Sequence, residues 1–135
     1  MKINTLIIDD FYDNPNEVRD FALNQDFNVD GNYPGHRTIS FLDDGIKSTM
    51  QSLLNPFAGK ITGWGGDYSG SFQYTTSEDR SWIHSDSTTG WAAVLYLTPD
   101  APISSGTGLF KHKQTGLCGW DDNIHTEEET SLSPH

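Results

Sequence analysis

Trp82-Ile83-His84-Ser85-Asp86, followed closely by Trp91-Ala92-Ala93-Val94-Leu95-Tyr96-Leu97, decides how this chain is read. The run from 91 to 97 is apolar at nearly every position, and that continuity predicts a central strand buried on both faces. The segment before it sets an imidazole and a carboxylate two positions apart. Strand side chains alternate between faces, so His84 and Asp86 point the same way and can reach one metal ion together. Thr98-Pro99-Asp100-Ala101-Pro102 then closes the run as a turn, and Gly106-Thr107-Gly108-Leu109-Phe110 opens another strand.

Outward from this region, strands are expected at Ser71-Phe72-Gln73-Tyr74-Thr75, from Ser81 to His84, from Ala92 to Leu97 and from Gly108 to His112. The first third reads differently. Thr5-Leu6-Ile7-Ile8 predicts a short buried strand. Asn14-Pro15-Asn16-Glu17 is a helix start, with Asn as cap, Pro at the first position and Glu three residues after the cap. Val18, Phe21 and Ala22 give that helix its apolar face until about Asn24. Asp30-Gly31-Asn32-Tyr33-Pro34-Gly35 is a loop. A second helix is expected from Asp44 to Leu54, with Ile46, Met50, Leu53 and Leu54 inward and Asn55-Pro56 as its stop. Helices first and strands later give an α+β class, with the sheet region carrying the site.

Composition narrows the function classes. The 135 residues suffice for one domain with one core, and 12% aromatics against 34% hydrophobics suggest a core built on rings, Trp64, Trp82 and Trp91 among them. A net charge of -11 with eight scattered basic residues excludes a polyanion-binding surface, and so nucleic acid as a bulk electrostatic partner. No run approaches the ~18 apolar residues of a membrane span. Met1-Lys2-Ile3-Asn4-Thr5 lacks the long apolar region of a signal peptide, which implies a cytoplasmic protein. The single Cys118 excludes an internal disulfide, fits a reducing compartment and reads as structural. From Asp121 to His135 the chain is acidic, with Ile124 and Leu132 as its apolar residues, and is expected to form a mobile tail behind a single domain at residues 1–120.

The order His-x-Asp, buried strand ending Tyr-Leu-Thr, turn, then Gly-Thr-x-x-Phe resembles the 2-oxoglutarate/Fe(II)-dependent oxygenase superfamily. Asp9-Asp10-Phe11-Tyr12, Asn32-Tyr33-Pro34-Gly35, Phe72-Gln73-Tyr74 and Leu109-Phe110-Lys111-His112-Lys113 are similar to small phage and marine-microbial members of that group. The resemblance covers roughly residues 5 to 117. It implies two N-terminal helices packed on a double-stranded β-helix, or jelly roll, and Fe(II) with 2-oxoglutarate as cofactors. It makes His84 and Asp86 two of the three metal ligands in a two-His-one-carboxylate set. Tyr96 falls where the superfamily often hydrogen-bonds 2-oxoglutarate; read from its own surroundings, it is equally a core Tyr with a local partner.

The superfamily pattern also has a distal His on a late strand and a basic residue beyond it. Here no Arg follows Arg80 and no Lys follows Lys113, and the third ligand is left to His112, His125 or the terminal His135. The resemblance therefore implies a jelly roll incomplete at its C-terminus, with exposed sheet edges that favour a homo-oligomer. Other residues have plainer readings. His36-Arg37 is a surface or capping pair, or lines a pocket where Arg37 meets a substrate carboxylate. Asp79-Arg80 is a turn pair, and Gly106-Thr107-Gly108 permits a tight strand start.

Two functions remain. One is an Fe(II)/2-oxoglutarate oxygenase hydroxylating a small molecule or a protein side chain. The other is a truncated or degenerate jelly roll with a binding or structural role and no catalysis, associated with a virion or another chain.

Overall fold

Asn14 and Asp43 each start a helix by the same device. In a computed structural model, which describes residues 3, 5–84, 86 and 89–118, the Asn14 side chain accepts the Glu17 backbone N–H at 3.4 Å. The Asp43 carboxylate accepts that of Ile46 at 2.7 Å. These caps satisfy donors that the first helical turn leaves open. They launch α1, Pro15–Leu23, and α2, Asp44–Ala58. Between the helices runs β1, His36–Ser40, and after them β2, Ser71–Tyr74, which pairs antiparallel with β1.

The chain divides into two compact units, Met1–Arg80 and Ser81–His135, and all four elements lie in the first. There α1 ends with Asn24 and Gln25 folding their side-chain amides back onto the carbonyls of Asp20 and Phe21, at 2.8 and 2.9 Å. Its Phe21 ring meets Phe41 at 5.2 Å and Phe72 at 6.0 Å, and Phe41 lies 5.6 Å from Phe72. Three rings from α1, the end of β1 and β2 thus cluster, Phe41 and Phe72 half-buried and Phe21 46% exposed, while the buried apolar residues are Ala22 and Leu54. The core expected to be built on rings, Trp64, Trp82 and Trp91 among them, is not seen among the described residues: Trp64 and Trp82 are half-buried and Trp91 is exposed. Ile46, Met50 and Leu53, by contrast, are half-buried on α2 as its periodicity required.

The two strands are out of step by one residue. His36 pairs with Tyr74 and Arg37 with Gln73, but the next pair is Ser40 with Ser71, so β1 carries one extra residue. Thr38 sits in that bulge, 1% exposed, and its hydroxyl takes the place of a ladder carbonyl. Gly35, at φ 73°, turns the chain into β1.

Several expectations need correcting. α2 does not stop at Asn55-Pro56; Pro56 lies inside it, and the helix ends at Gly59, whose φ of 72° and N–H bond to the Asn55 carbonyl close the last turn. The constraint that Pro places on the residue before it is a preference, and here the Gly59 cap and Gln51, which bonds both Gly59 and Ile61, outweigh it. β1 stands where no strand was expected. Residues 5–8 form no strand, and Ile7 is 85% exposed, because no partner strand flanks them.

The second unit holds no helix or ladder among the described residues, so the segments 81–84, 92–97 and 108–112 are unpaired there. The run expected to be a buried central strand is exposed, with Val94 64% accessible and Trp91 also open. Burial of such a run requires strands on both sides, and its own unit supplies none among the described residues. Cys118 is exposed rather than structural. Among the described residues no helix is long and apolar enough to cross a membrane. The acidic segment 121–135, with His125 and His135, lies outside the described residues.

Candidate metal-binding pair

His84 and Asp86 come together in the second unit, although residues 81–84 and 86 form no strand there. His84 Nε2 lies 3.7 Å from Asp86 Oδ1, and the two side chains are 58% and 57% exposed. The other ring nitrogen, Nδ1, is 3.2 Å from the Trp82 carbonyl oxygen. A carbonyl only accepts, so Nδ1 carries a proton and donates it there; in the neutral ring the lone pair is then on Nε2. In that neutral form the imidazole Nε2 and a carboxylate oxygen lie 3.7 Å apart, and in the imidazolium the same two groups are an ion pair. A divalent cation between them would satisfy both, and a backbone carbonyl holding the far nitrogen is the usual way a ligating His is oriented. Trp82, 6.1 Å from His84 between ring centroids, walls one side.

The other candidates behave differently. His112 is half-buried in a closed loop: its N–H bonds the Leu117 carbonyl at 2.8 Å, and its own carbonyl accepts from Gly116 at 2.9 Å. Its Nδ1 meets the Thr115 hydroxyl at 2.8 Å and accepts the Thr115 backbone N–H at 3.3 Å. His112 therefore organises that loop. Among the described residues no three His, Cys, Asp or Glu side chains gather where they could hold a metal, so His112 does not complete the set. Tyr96 donates its hydroxyl to Thr107 Oγ1, tying the 92–97 run to the Gly106-Thr107-Gly108 turn.

Asp79 belongs to a turn, as expected, but its partner is Thr76 and not Arg80. Its carboxylate accepts the Thr76 N–H at 2.6 Å and the Thr76 hydroxyl at 3.0 Å. These bonds hold its pKa below the usual carboxylate value.

Two features of the first unit escaped the sequence reading. One is an open cleft of about 360 Å³ over the Phe21, Phe41 and Phe72 rings, rimmed by Tyr12, Glu17 and Asp43. Burial, then the Asp43 charge, raises the Tyr12 phenol. Both carboxylates sit at helix starts and are accounted for by that position. The second is the surrounding of Arg37, whose guanidinium carbon lies 4.1 Å from the Tyr33 ring centroid and 4.9 Å from that of Tyr68. The Tyr-Pro-Gly loop was visible in sequence; Tyr68 and Gln73 were not visible as its partners, because they come from far along the chain.

A family model described as a family of unknown function (DUF6445) matches residues 2–133. No curated protein and no solved structure matches the chain.

Proposed function

The chain belongs to the DUF6445 family of unknown function; from its own residues we propose that it is an Fe(II)/2-oxoglutarate-dependent oxygenase of the hydroxylating type. One observation carries the reading: His84 Nε2 and Asp86 Oδ1 lie 3.7 Å apart, both open to solvent, with His84 Nδ1 held by the Trp82 carbonyl. The donor types suit Fe(II), which takes imidazole nitrogen and carboxylate oxygen together. The sequence likeness to the oxygenase superfamily over residues 5 to 117 supports the same assignment, and with it the jelly-roll architecture.

His84 and Asp86 are the residues that would hold the metal. Bound Fe(II), with 2-oxoglutarate and O₂, supplies the oxidising power for hydroxylation. The protein's own part is to present Nε2 as an unprotonated donor, through the Trp82 carbonyl, and to add one negative charge at Asp86. No third protein ligand is assigned: among the described residues His112 does not gather with the pair, and His125 lies outside them.

The test is Mn(II) binding followed by water-proton relaxation, with and without 2-oxoglutarate, in the full chain and in His84→Ala and Asp86→Ala. Binding that 2-oxoglutarate tightens and that both variants weaken is expected. Mn(II) affinity unchanged in His84→Ala would remove the basis of the assignment and leave the non-catalytic binding role.

A further inference from the structure

Arg37 is held more completely than a surface arginine needs to be. Its Nε–H donates to Gln73 Oε1 at 2.6 Å, across the β1–β2 register pair that places the two residues opposite each other. Gln73 is fixed in turn, because its amide donates to the Pro34 carbonyl at 2.7 Å. The guanidinium lies over the Tyr33 and Tyr68 rings, which meet each other edge to face at 5.3 Å. Tyr33 is anchored by its hydroxyl on the Val29 carbonyl, and Val29 N–H bonds the Arg37 carbonyl at 3.1 Å. Gly31 completes the frame: a Cβ there would sit 2.3 Å from the Tyr33 ring and 2.5 Å from the Tyr68 hydroxyl, so the rings pack on bare backbone.

What the frame leaves unused is the end of the guanidinium. Among the described residues no carboxylate lies within ion-pair distance of Arg37, and its terminal N–H groups meet no acceptor. This occurs in a chain with 19 acidic residues. Asp30 is near enough to act on the Tyr33 phenol, yet it does not pair with Arg37. A half-buried guanidinium, fixed by two rings and an amide, has already lost the side-chain freedom that binding would otherwise cost.

We infer that the Arg37 guanidinium, framed by Tyr33, Tyr68 and Gln73, binds the carboxylate of a small organic acid. The planar end of the fork matches two carboxylate oxygens. The planar guanidinium end matches a planar carboxylate better than a tetrahedral phosphate. The site is built wholly within the first unit and does not depend on the metal assignment.

The experiment follows the Arg37 Nε–H resonance of the metal-free full chain, in EDTA at low salt, during titration with acetate, succinate or inorganic phosphate. Saturable shifts with acetate and succinate are expected, with phosphate weaker. Arg37→Gln should weaken succinate binding by about ten- to a hundredfold, the loss of one charged hydrogen-bonded contact, followed through the Tyr33 and Gln73 resonances. Gln73→Glu should do the same by supplying an internal carboxylate while leaving the strand pair in place, and it carries the test if Arg37→Gln fails to fold. Absence of saturation in the wild type, unchanged binding in a folded Arg37→Gln or Gln73→Glu chain, or phosphate binding as tightly as acetate would each overturn the assignment. Because no metal is present, failure here leaves the His84–Asp86 reading standing, and the reverse holds.

Discussion

The Thr38 hydroxyl accepts the backbone N–H of Phe72 at 3.0 Å, across a ladder that is one residue out of step, while donating to the Ile39 carbonyl at 2.7 Å. The bulge would otherwise strand that N–H in the interior beside a residue only 1% exposed. Thr38→Val keeps the volume and removes both bonds. The expected cost is about 1–3 kcal/mol, the penalty of a buried donor left unpaired, read from urea denaturation midpoints. Thr38→Ser, which keeps the hydroxyl, should lose clearly less. Equal losses in the two variants would mean that packing, and not the hydroxyl, holds the bulge.

The same bulge marks the limit of what the sequence disclosed. The cap at Asn14 and Pro15 at the first helical position are local, set within four residues, and each could be read directly, whereas His84 and Asp86 meet without the strand that their spacing assumed. β1 could not, since His-Arg-Thr-Ile-Ser lacks apolar alternation and its partner β2 comes some thirty residues later. Arg37 illustrates this best. Its neighbours Tyr33 and Pro34 were evident as a turn, whereas Gln73 reaches it only through strand pairing. The apolar run 91–97 was over-read for a related reason: a continuous apolar string says that a segment needs cover, not where the cover is.

Gly35 and Gly59 have nearly the same φ, 73° and 72°, but different surroundings. A Cβ at Gly35 would lie 2.0 Å from the Tyr74 carbonyl oxygen, whereas one at Gly59 meets nothing within 4 Å. Gly59→Ala should therefore lose only what its φ 72°, ψ -150° backbone costs a residue with a Cβ, about 1–3 kcal/mol. Gly35→Ala must also push β2 backbone aside at the His36–Tyr74 pair, and should lose distinctly more. Thermal melts of the two variants decide this; matched losses would mean that the close approach relaxes freely.

The Asp79 turn should be acid-sensitive in a defined direction. Bonds from the Thr76 N–H and hydroxyl lower the folded-state pKa below 3.8, so the carboxylate contributes stability above that value. The contribution is lost as pH falls through the lower folded value. Asp79→Asn removes the charge at every pH and should flatten this dependence. The Thr76 amide resonance, followed from pH 5 downwards at about 0.5-unit steps across the ~1.5 units a one-proton transition spans on each side, reports it. A Thr76 shift that titrates identically in Asp79→Asn would place its origin elsewhere.

Asp86 and Asp79 offer a paired control for the metal reading. The two aspartates are seven positions apart in sequence, but Asp79 is engaged by Thr76 while Asp86 lies 3.7 Å from His84 Nε2. Asp86→Asn keeps the shape and removes the charge that a cation needs, so Mn(II) affinity should fall by about tenfold or more, the scale of losing one charge-assisted contact. Asp79→Asn should leave it unchanged, since its carboxylate already serves the turn. A similar fall in both variants would identify diffuse attraction to an acidic chain as the source of binding. A fall confined to Asp86→Asn, together with the same fall in His84→Ala, would mean that the ion sits between these two side chains.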